Sequence, residues 1–236
     1  MLVSYTLSKT LDDVSSFNIT GSASQSVAGE NDLAQNPFDV KSEYGRSMFD
    51  ARHRFVLSYQ WNLPWFSHPD RWYGYVLGNW MVNGITTAMS NTPFTVYDSN
   101  NPSLQGSAPE ISGFFSSRDN QIGDPNSGVC PVSGAAVRTP DCWFNTGVFA
   151  TPAPGQFGNV GRNTLKGPAY QQWDFSAIKT IPIHERLNLQ FRAELFNIFN
   201  NVNFSLPNND SASSNFGAIT TAQPGRIVQL ALKLSF

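Results

Sequence analysis

The stretch Arg226-Ile227-Val228-Gln229-Leu230-Ala231-Leu232-Lys233-Leu234-Ser235-Phe236 alternates between apolar and polar side chains. Every even position from Val228 to Phe236 is apolar, and the odd positions are polar or small apart from Ile227. Successive side chains of a β-strand point to opposite faces. The stretch therefore predicts a strand with one apolar face and one polar face.

The same alternation recurs in five earlier segments of the chain. In chain order these segments are residues 2–9, 54–63, 76–96, 173–181 and 187–195. A helix over the last of them would leave Arg192 and Glu194 outside any clean apolar stripe, so a strand is favoured there too. Segment 76–96 loses its phase near Gly84, which predicts a bulge or bend at that glycine. The sequence thus predicts six strands in up-and-down order.

The connections between these strands fall into two classes. Those at 64–73 and 182–186 are short, whereas those at 12–48, 98–168 and 201–224 are long, polar and rich in Gly, Asn, Ser and Pro. Alternation of short periplasmic turns with long extracellular loops is typical of outer-membrane barrels. The pattern predicts an all-β fold, an antiparallel transmembrane β-barrel segment of about six strands.

Composition agrees with this fold class and excludes others. Aromatic residues make up 13% of the 236 residues and charged residues only 14%, which is typical of a protein of strands and loops. The net charge of −2 and the scattered Lys and Arg residues give no basic stripe, so no nucleic-acid partner is expected. No apolar run reaches the roughly 18 residues of a transmembrane helix. No secretory signal is visible after Met1, so an exported form would be either mature or incomplete.

The two cysteines, Cys130 and Cys142, lie in a stretch rich in Gly, Pro and Ser. No second Cys or His pair stands at the spacing of zinc ligands. The sequence favours a loop disulfide formed in an oxidising compartment, with two unpaired thiols as the alternative.

Aromatic residues crowd around the first short connection. They are Trp61, Trp65, Phe66, Trp72, Tyr73 and Tyr75. Rings with a polar tip favour the headgroup layer of a membrane, so the cluster is interpreted as part of an interfacial girdle. The alternative is a carbohydrate-binding or core aromatic cluster.

No arrangement typical of catalysis, metal binding or cofactor binding is found. The histidines His53, His68 and His184 are isolated from one another, and the acids Asp12, Asp13 and Asp141 are expected to be solvated in loops. No nucleophile elbow is present. The glycine-rich stretch 158–163 lacks the Gly-Lys-Ser/Thr ending of a phosphate loop and leads into a strand. We therefore expect a protein that is not an enzyme.

One charged pair occupies the polar face of a predicted strand. Arg192 and Glu194 are expected to pair across the sheet with Asp174 or Lys233 and so to brace the wall. Contact with a plug or a substrate is the alternative.

Several stretches resemble, in order, the C-terminal end of TonB-dependent receptors of the Oar-like kind. They are residues 4–9 (SYTLSK), 44–54 (YGRSMFDARHR), 142–145 (CWFN), 157–163 (FGNVGRN), 167–168 (GP), 173–176 (WDFS), 191–200 (FRAELFNIFN) and the terminal strand. The resemblance implies that residues 1–236 are the C-terminal portion of a barrel of about 22 strands surrounding an N-terminal plug.

The resemblance also implies a function and a set of partners. The parent receptor would import a bulky, unidentified nutrient across the outer membrane with energy passed on by the TonB complex through the plug, which is missing here. Outer-membrane lipid and the barrel assembly machinery are the other implied partners. The terminal residues Gln229, Leu234 and Phe236 are similar to the signal that this machinery reads, although Ala231 stands where glycine is preferred.

Two further interpretations of the whole chain remain open from the sequence. One is a complete small outer-membrane protein or adhesin, which needs a closed barrel of about eight strands. The other is a soluble secreted β-sandwich that binds glycans through its aromatic patch.

Overall fold

The computed structural model describes residues 1–15, 34–36, 38–65, 72–104, 117–184 and 187–236, with only the backbone given for Trp72 and His184. In chain order its strands are β1 (Leu2–Leu7), β2 (Leu11–Asp12), β3 (Gly45–Arg46), β4 (His53–Asn62), β5 (Trp80–Met89), β6 (Pro93–Phe94), β7 (Asn120–Gln121), β8 (Phe149–Ala150), β9 (Leu165–Lys166), β10 (Tyr170–His184), β11 (Leu187–Phe196) and β12 (Ile227–Ser235). A one-turn helix, α1 (Trp72–Leu77), lies between β4 and β5.

The six longest strands form one antiparallel sheet in the order β1-β4-β5-β10-β11-β12. Each long strand is therefore adjacent to its neighbour in the up-and-down order, and each of the six predicted segments overlaps one of them. The number and order of the predicted strands are confirmed. β4, β5 and β11 contain 10 residues each and β12 contains 9. These lengths match the roughly 9–11 residues of a tilted strand that crosses a bilayer.

The sheet has two open edges. Among the described residues β1 pairs with β4 alone and β12 pairs with β11 alone, so the first and last strands do not meet. The sheet is an open arc rather than a closed barrel.

One face of the sheet is apolar across all six strands. Val3 lies beside Leu57, and Phe191 beside Leu232, and side chains of directly paired residues point to the same face. The larger aliphatic and aromatic members of this apolar face are Val3, Tyr5, Leu7, Phe55, Leu57, Tyr59, Trp61, Trp80, Val82, Trp173, Phe175, Ile181, Leu189, Phe191, Leu195, Val228, Leu230, Leu232 and Leu234. The opposite face holds most of the polar strand residues. The predicted two-faced strands therefore align into a two-faced sheet.

The apolar face is covered by nothing in the described part of the chain at its β12 end. Leu230 and Leu232 are 66% and 70% exposed. The buried hydrophobic residues lie instead in the long connections, and among the described residues only Ile178 of that set belongs to the six-stranded sheet. A sandwich would bury one face of this sheet against another sheet.

The predicted bulge at Gly84 is wrong. Gly84 pairs in continuous register with Tyr59 on one side and Phe175 on the other. A Cβ atom on Gly84 would lie 2.6 Å from the Tyr59 hydroxyl oxygen and 2.5 Å from the Asp174 carbonyl oxygen. The glycine is needed because the Tyr59 ring crosses it, which interrupts the apolar periodicity without breaking the ladder. The register shift lies between Pro182 and His184 instead.

Segment 76–96 is not one strand. Its first residues end helix α1, Asn79 follows with a φ of 55°, and β5 begins at Trp80. Residues Pro93–Phe94 form β6, which pairs with β9 away from the main sheet. Among the described residues, no helix has the length and apolar composition needed to cross a membrane.

Candidate functional site: the loop module

The three long connections leave the same end of the sheet and pack on one another. Connection 1 comprises residues 8–52, connection 2 residues 90–169 and connection 3 residues 197–226. We call their described parts the loop module. Three short ladders stiffen it: β2–β3 within connection 1, and β6–β9 and β7–β8 within connection 2.

The loop module has its own hydrophobic core. The Phe144 ring lies 5.6 Å from Phe94, 5.6 Å from Phe149 and 5.2 Å from Phe216, measured between ring centroids. Phe94 and Phe144 are each 2% exposed. Because Phe216 belongs to connection 3 and the others to connection 2, this cluster joins two connections. Removing one such buried ring typically costs about 3–5 kcal/mol.

A disulfide closes a hairpin beside this core. Cys130 and Cys142 are bonded, with Cα atoms 5.8 Å apart, and both are buried. The backbone amide of Cys130 donates to Ala135, and Cys142 and Thr139 exchange backbone hydrogen bonds. Closing a loop of this length stabilises a fold by about 3 kcal/mol in the chain-entropy account. The bond holds Phe144, two residues beyond Cys142, in the core.

Two ion pairs, one of them fully buried and the other partly buried, join connection 1 to connection 2. The Arg118 guanidinium pairs with Glu43, and both side chains are less than one-tenth exposed. The Arg162 guanidinium donates to Asp12 Oδ1 at 2.7 Å and to the Asp12 carbonyl oxygen at 2.7 Å. Gln35 completes the joint, since its side chain donates to the Gly158 carbonyl and accepts from the Arg118 amide. Removing one partner of a buried ion pair costs more free energy than the intact pair contributes, because the remaining charge is buried without a partner.

The Asp12 carboxylate, expected from the sequence to be solvated, is only partly so, since its side chain is 25% exposed and pairs with Arg162. Burial by itself raises the pKa of Asp12, but hydrogen bonds from Arg162, Ser47 and Ser15 and the charge of Arg162 outweigh it, so the pKa lies below the ordinary value of 3.8. The ionised form is thus the one that the loop module binds.

The glycine-rich stretch 158–163 occupies the centre of the loop module. A Cβ on Gly158 would lie 1.9 Å from the Arg118 carbonyl oxygen, so the backbone at Gly158 is in direct contact with the backbone at Arg118. Asn163, at a φ of 53°, receives a hydrogen bond from Thr95 and donates to the Arg46 carbonyl. Sequence reasoning considered this stretch only as a phosphate loop and missed its structural role. A Gly-Asn run with one arginine carries no local signal for it, because its partners lie far away in the chain.

Two cavities border the loop module. One, of about 410 Å³, lies where the connections meet the sheet and is lined by residues such as Phe55, Tyr170 and Val202. The other, of about 550 Å³, lies between the disulfide hairpin and connection 3. Its lining combines Asp141 with the hydroxyls of Ser133, Ser211 and Ser213.

The predicted assembly-signal residues lie on the open edge strand. Gln229 is opposite Glu194 and Leu234 is opposite Leu189 in the β11–β12 ladder. Phe236 follows the last residue of β12 and is 98% exposed. The three residues do not form one cluster; they share an edge that has no partner strand among the described residues.

The polar face carries a charged pair, but not the predicted one. Arg192 Nη2 pairs with Glu194 Oε1 at 2.9 Å along the same strand rather than across the sheet. The Asp174 carboxylate instead accepts hydrogen bonds from the Gln172 side chain and the Asn197 amide. In register, Lys233 lies opposite Gln190. Arg192 forms its ion pair along the strand rather than across the sheet because Glu194 lies two residues away on the same face of that strand.

The aromatic cluster lies at the end of the sheet opposite the loop module. Trp61 and Trp65 stack edge to face at 5.2 Å, and the Trp80 indole donates to the Val76 carbonyl. Lys179, which is on the apolar face, lies 5.8 Å from the Trp80 ring and donates to the Gly78 carbonyl. Phe66 lies outside the described residues. The Lys179 ammonium group thus reaches a backbone carbonyl just after α1 while its aliphatic stem stays on the apolar face, as lysines near a membrane interface commonly do.

The described part of the chain contains no group of three or more His, Cys, Asp or Glu side chains arranged to hold a metal ion. His53 shares a 2.8 Å hydrogen bond with the Tyr5 hydroxyl across the β1–β4 ladder. His68 and the His184 side chain lie outside the described residues.

Comparison with known proteins gives one match. A family model described as "Outer membrane beta barrel domain" matches residues 1–229. No curated protein and no solved structure matches the chain.

Proposed function

We propose that this chain, which belongs to the family of outer membrane β-barrel domains and lies in the outer membrane, forms the C-terminal part of the barrel wall of a TonB-dependent receptor. The parent receptor takes up a bulky nutrient. The loop module is the extracellular surface of this part of the wall, and the aromatic cluster lies at the periplasmic interface.

The observation that carries the proposal is an open sheet with an exposed apolar face. Leu230, Leu232 and Leu234 of the edge strand are each more than half exposed, and the buried core lies in the loop module. Hydrocarbon accepts such a face but not an open strand edge, since unpaired N–H and C=O groups cost several kcal/mol each in lipid. The two edges of this arc therefore need further strands of a larger barrel.

The receptor class rests on the resemblance of the quoted stretches to the C-terminal end of Oar-like TonB-dependent receptors. Six strands make up about a quarter of a barrel of about 22. In this proposal the chain performs no catalysis and holds no cofactor. Its partners are outer-membrane lipid, the barrel assembly machinery and the substrate, and the TonB complex acts through the plug of the parent receptor.

The coding sequence upstream of Met1 tests the receptor class. We expect an in-frame continuation into further alternating strands, a plug domain, a TonB-contacting segment and a signal peptide. A stop codon followed by a promoter and a genuine start at Met1 would contradict the proposal.

A cysteine cross-linking experiment separates the receptor wall from a complete small barrel. Ser4 and Ala231 lie near the middle of the edge strands β1 and β12, on the polar face. In a small closed barrel these strands meet, so a Ser4→Cys/Ala231→Cys variant would cross-link under oxidation. We expect no cross-link within one chain in outer membranes. The positive control is Gln190→Cys/Lys233→Cys, which places the two cysteines directly opposite each other in the β11–β12 ladder.

A further inference from the structure

Inside the loop module, one carboxylate is buried without a partner. Asp119, which immediately precedes β7, is 1% exposed, and neither of its carboxylate oxygens has a hydrogen-bond partner. Its backbone carbonyl accepts from the Val160 amide at 3.1 Å, so its position is fixed by the fold. Buried carboxylates are normally paired or hydrogen-bonded, because burying the isolated charge is very costly.

Two charged groups act electrostatically on Asp119, and both are carboxylates. They are Asp98 from connection 2 and Asp210 from connection 3. The oxygens of Asp98 accept from the Asn100 amide and the Thr151 hydroxyl, and Asp210 Oδ1 accepts from the amides of Ser99 and Ala212.

Among the described residues, no donor reaches the Asp119 carboxylate oxygens with hydrogen-bond geometry. The Ser211 hydroxyl lies close to Asp119 but donates its single proton to the Tyr97 carbonyl at 3.2 Å. The two buried arginines of the loop module, Arg118 and Arg162, pair with Glu43 and Asp12 of connection 1. The electrostatic environment of Asp119 therefore favours its neutral form.

Asp119 lies at the joint between connections 2 and 3. The Tyr97 amide donates to the Asn209 carbonyl at 3.1 Å, and the Ser211 amide donates to the Tyr97 carbonyl at 2.9 Å. Tyr97 and Asp210 thereby form a parallel bridge between the two connections. A negative charge on Asp119 would repel Asp98 on one side of this bridge and Asp210 on the other.

We propose that Asp119 is a proton-binding site that latches connection 3 onto connection 2: protonated, it holds the joint closed, and ionised, it loosens the joint. The junction between connections 2 and 3 would then tighten or loosen according to external pH. This inference requires only the loop module itself and holds whichever receptor the barrel belongs to.

The direction of the pH effect follows from the environment of the carboxyl. Burial first, and then the charges of Asp98 and Asp210, raise the pKa of Asp119 above 3.8, partly opposed by Ser211. The stabilising contribution is therefore fully present below about pH 3.8 and is lost as pH rises through the raised pKa. Asp12, with its lowered pKa, acts in the opposite sense, and its ion pair weakens only as pH falls below 3.8. Measurements above about pH 4 thus leave the contribution of Asp12 unchanged, and the comparison with Asp119→Asn assigns the remaining pH dependence to Asp119.

Amide hydrogen exchange of the full chain in detergent, from about pH 4 to 8 and corrected for the intrinsic exchange rate, tests the proposal. In the wild type we expect protection of the Tyr97, Asn209 and Ser211 region to fall severalfold as pH rises through the raised pKa of Asp119. Asp119→Asn should stay protected across the range. The matched control is Asp124→Asn, because Asp124 lies in the same connection and its pKa is lowered by hydrogen bonds from Asn126. It should keep the wild-type dependence.

Other outcomes would overturn the proposal. A flat wild-type profile, or the same slope in Asp119→Asn as in the wild type, would do so. Added Ca²⁺ that restored protection at neutral pH in the wild type but not in Asp119→Asn would assign the site to a metal ion instead. If Asp119→Asn does not fold, Asp210→Asn serves, since removing that charge should move the wild-type transition to lower pH. An unchanged transition would contradict the latch.

Discussion

At the scale of single residues, backbone contacts decide positions that side-chain patterns leave ambiguous. Gly84 looks like a break in a strand but is an intact ladder position crossed by the Tyr59 ring. Gly158 looks like part of a ligand loop but is the point where connection 2 touches itself at the Arg118 carbonyl. At both positions a Cβ atom would clash with the neighbouring group, so the structure requires glycine.

The first prediction concerns Gly158. Gly158→Ala should open the loop module, because a Cβ 1.9 Å from a backbone oxygen cannot be accommodated without moving one of the two chains. Trypsin cleavage after Arg118 and Arg162 should become faster while the barrel strands remain resistant. Gly161→Ala is the control, since its Cβ meets only the flexible Thr164 side chain at 3.0 Å. Equal cleavage of the two variants would show that the close approach is unimportant.

The second prediction concerns the terminal residue, in the full-length receptor in its native membrane. Deleting Phe236, or changing it to Asp, should impair assembly more than the roughly 3–5 kcal/mol of one buried ring suggests, because an edge strand that is not captured exposes unpaired backbone. Phe236→Tyr should be tolerated, since an aromatic ring is kept at the interface. The measurement is the amount of heat-modifiable, protease-resistant barrel in outer membranes. Equal amounts for the wild type and the deletion would refute the assembly-signal hypothesis.

At the scale of elements, strands and connections have different sources of stability. Each strand of the main sheet obtains its hydrogen bonds from its neighbours and its apolar environment from the membrane. The loop module obtains stability from its own core, two ion pairs and the disulfide. Because these devices do not depend on lipid, the loop module is stable where it faces water.

The third prediction concerns the disulfide hairpin. Cys130→Ser/Cys142→Ser should lower the free energy of unfolding of the loop module by about 3 kcal/mol and leave the strands of the barrel unaffected. Hydrogen exchange at the Phe144 region and at β11 measures the two parts separately. Thiol titration of protein prepared under oxidising conditions should detect no free thiol. Two free thiols per chain would contradict the bond.

At the scale of the whole molecule, the described part of the sheet is an open arc. Its apolar face suits hydrocarbon, in agreement with the outer-membrane location of the family. The loop module covers one end of the sheet, and the aromatic cluster lies at the other.

The fourth prediction concerns solvent. The chain should aggregate in buffer and disperse only in detergent or lipid, because several exposed leucines and valines form one continuous face. A glycan-binding sandwich would behave as a monomer in buffer. Sedimentation with and without detergent distinguishes the two, and a buffer-soluble monomer would exclude the barrel wall.

The sequence by itself determined the strands, their order and their two faces. The alternation that reveals a strand is local, with a period of two residues, so it can be read without knowing the partner strand. The same holds for the division into short and long connections, which needs only the distances between strands along the chain. The strand order was confirmed over the six strands of the main sheet. The first short connection is longer than predicted, since it runs from residue 63 to residue 79 and contains α1.

The tertiary structure alone decided how the long connections fold. The Arg162–Asp12 contact joins residues 150 positions apart, and Arg118–Glu43 joins residues 75 apart. Such contacts produce no periodic pattern in the sequence, because each ion pair forms only after two distant segments of the chain have folded against each other. The isolation of Asp119 is of the same kind: it arises because its neighbours Arg118, Arg162 and Ser211 are bound elsewhere. Nothing in the residues next to it in sequence shows that its carboxylate is buried among others.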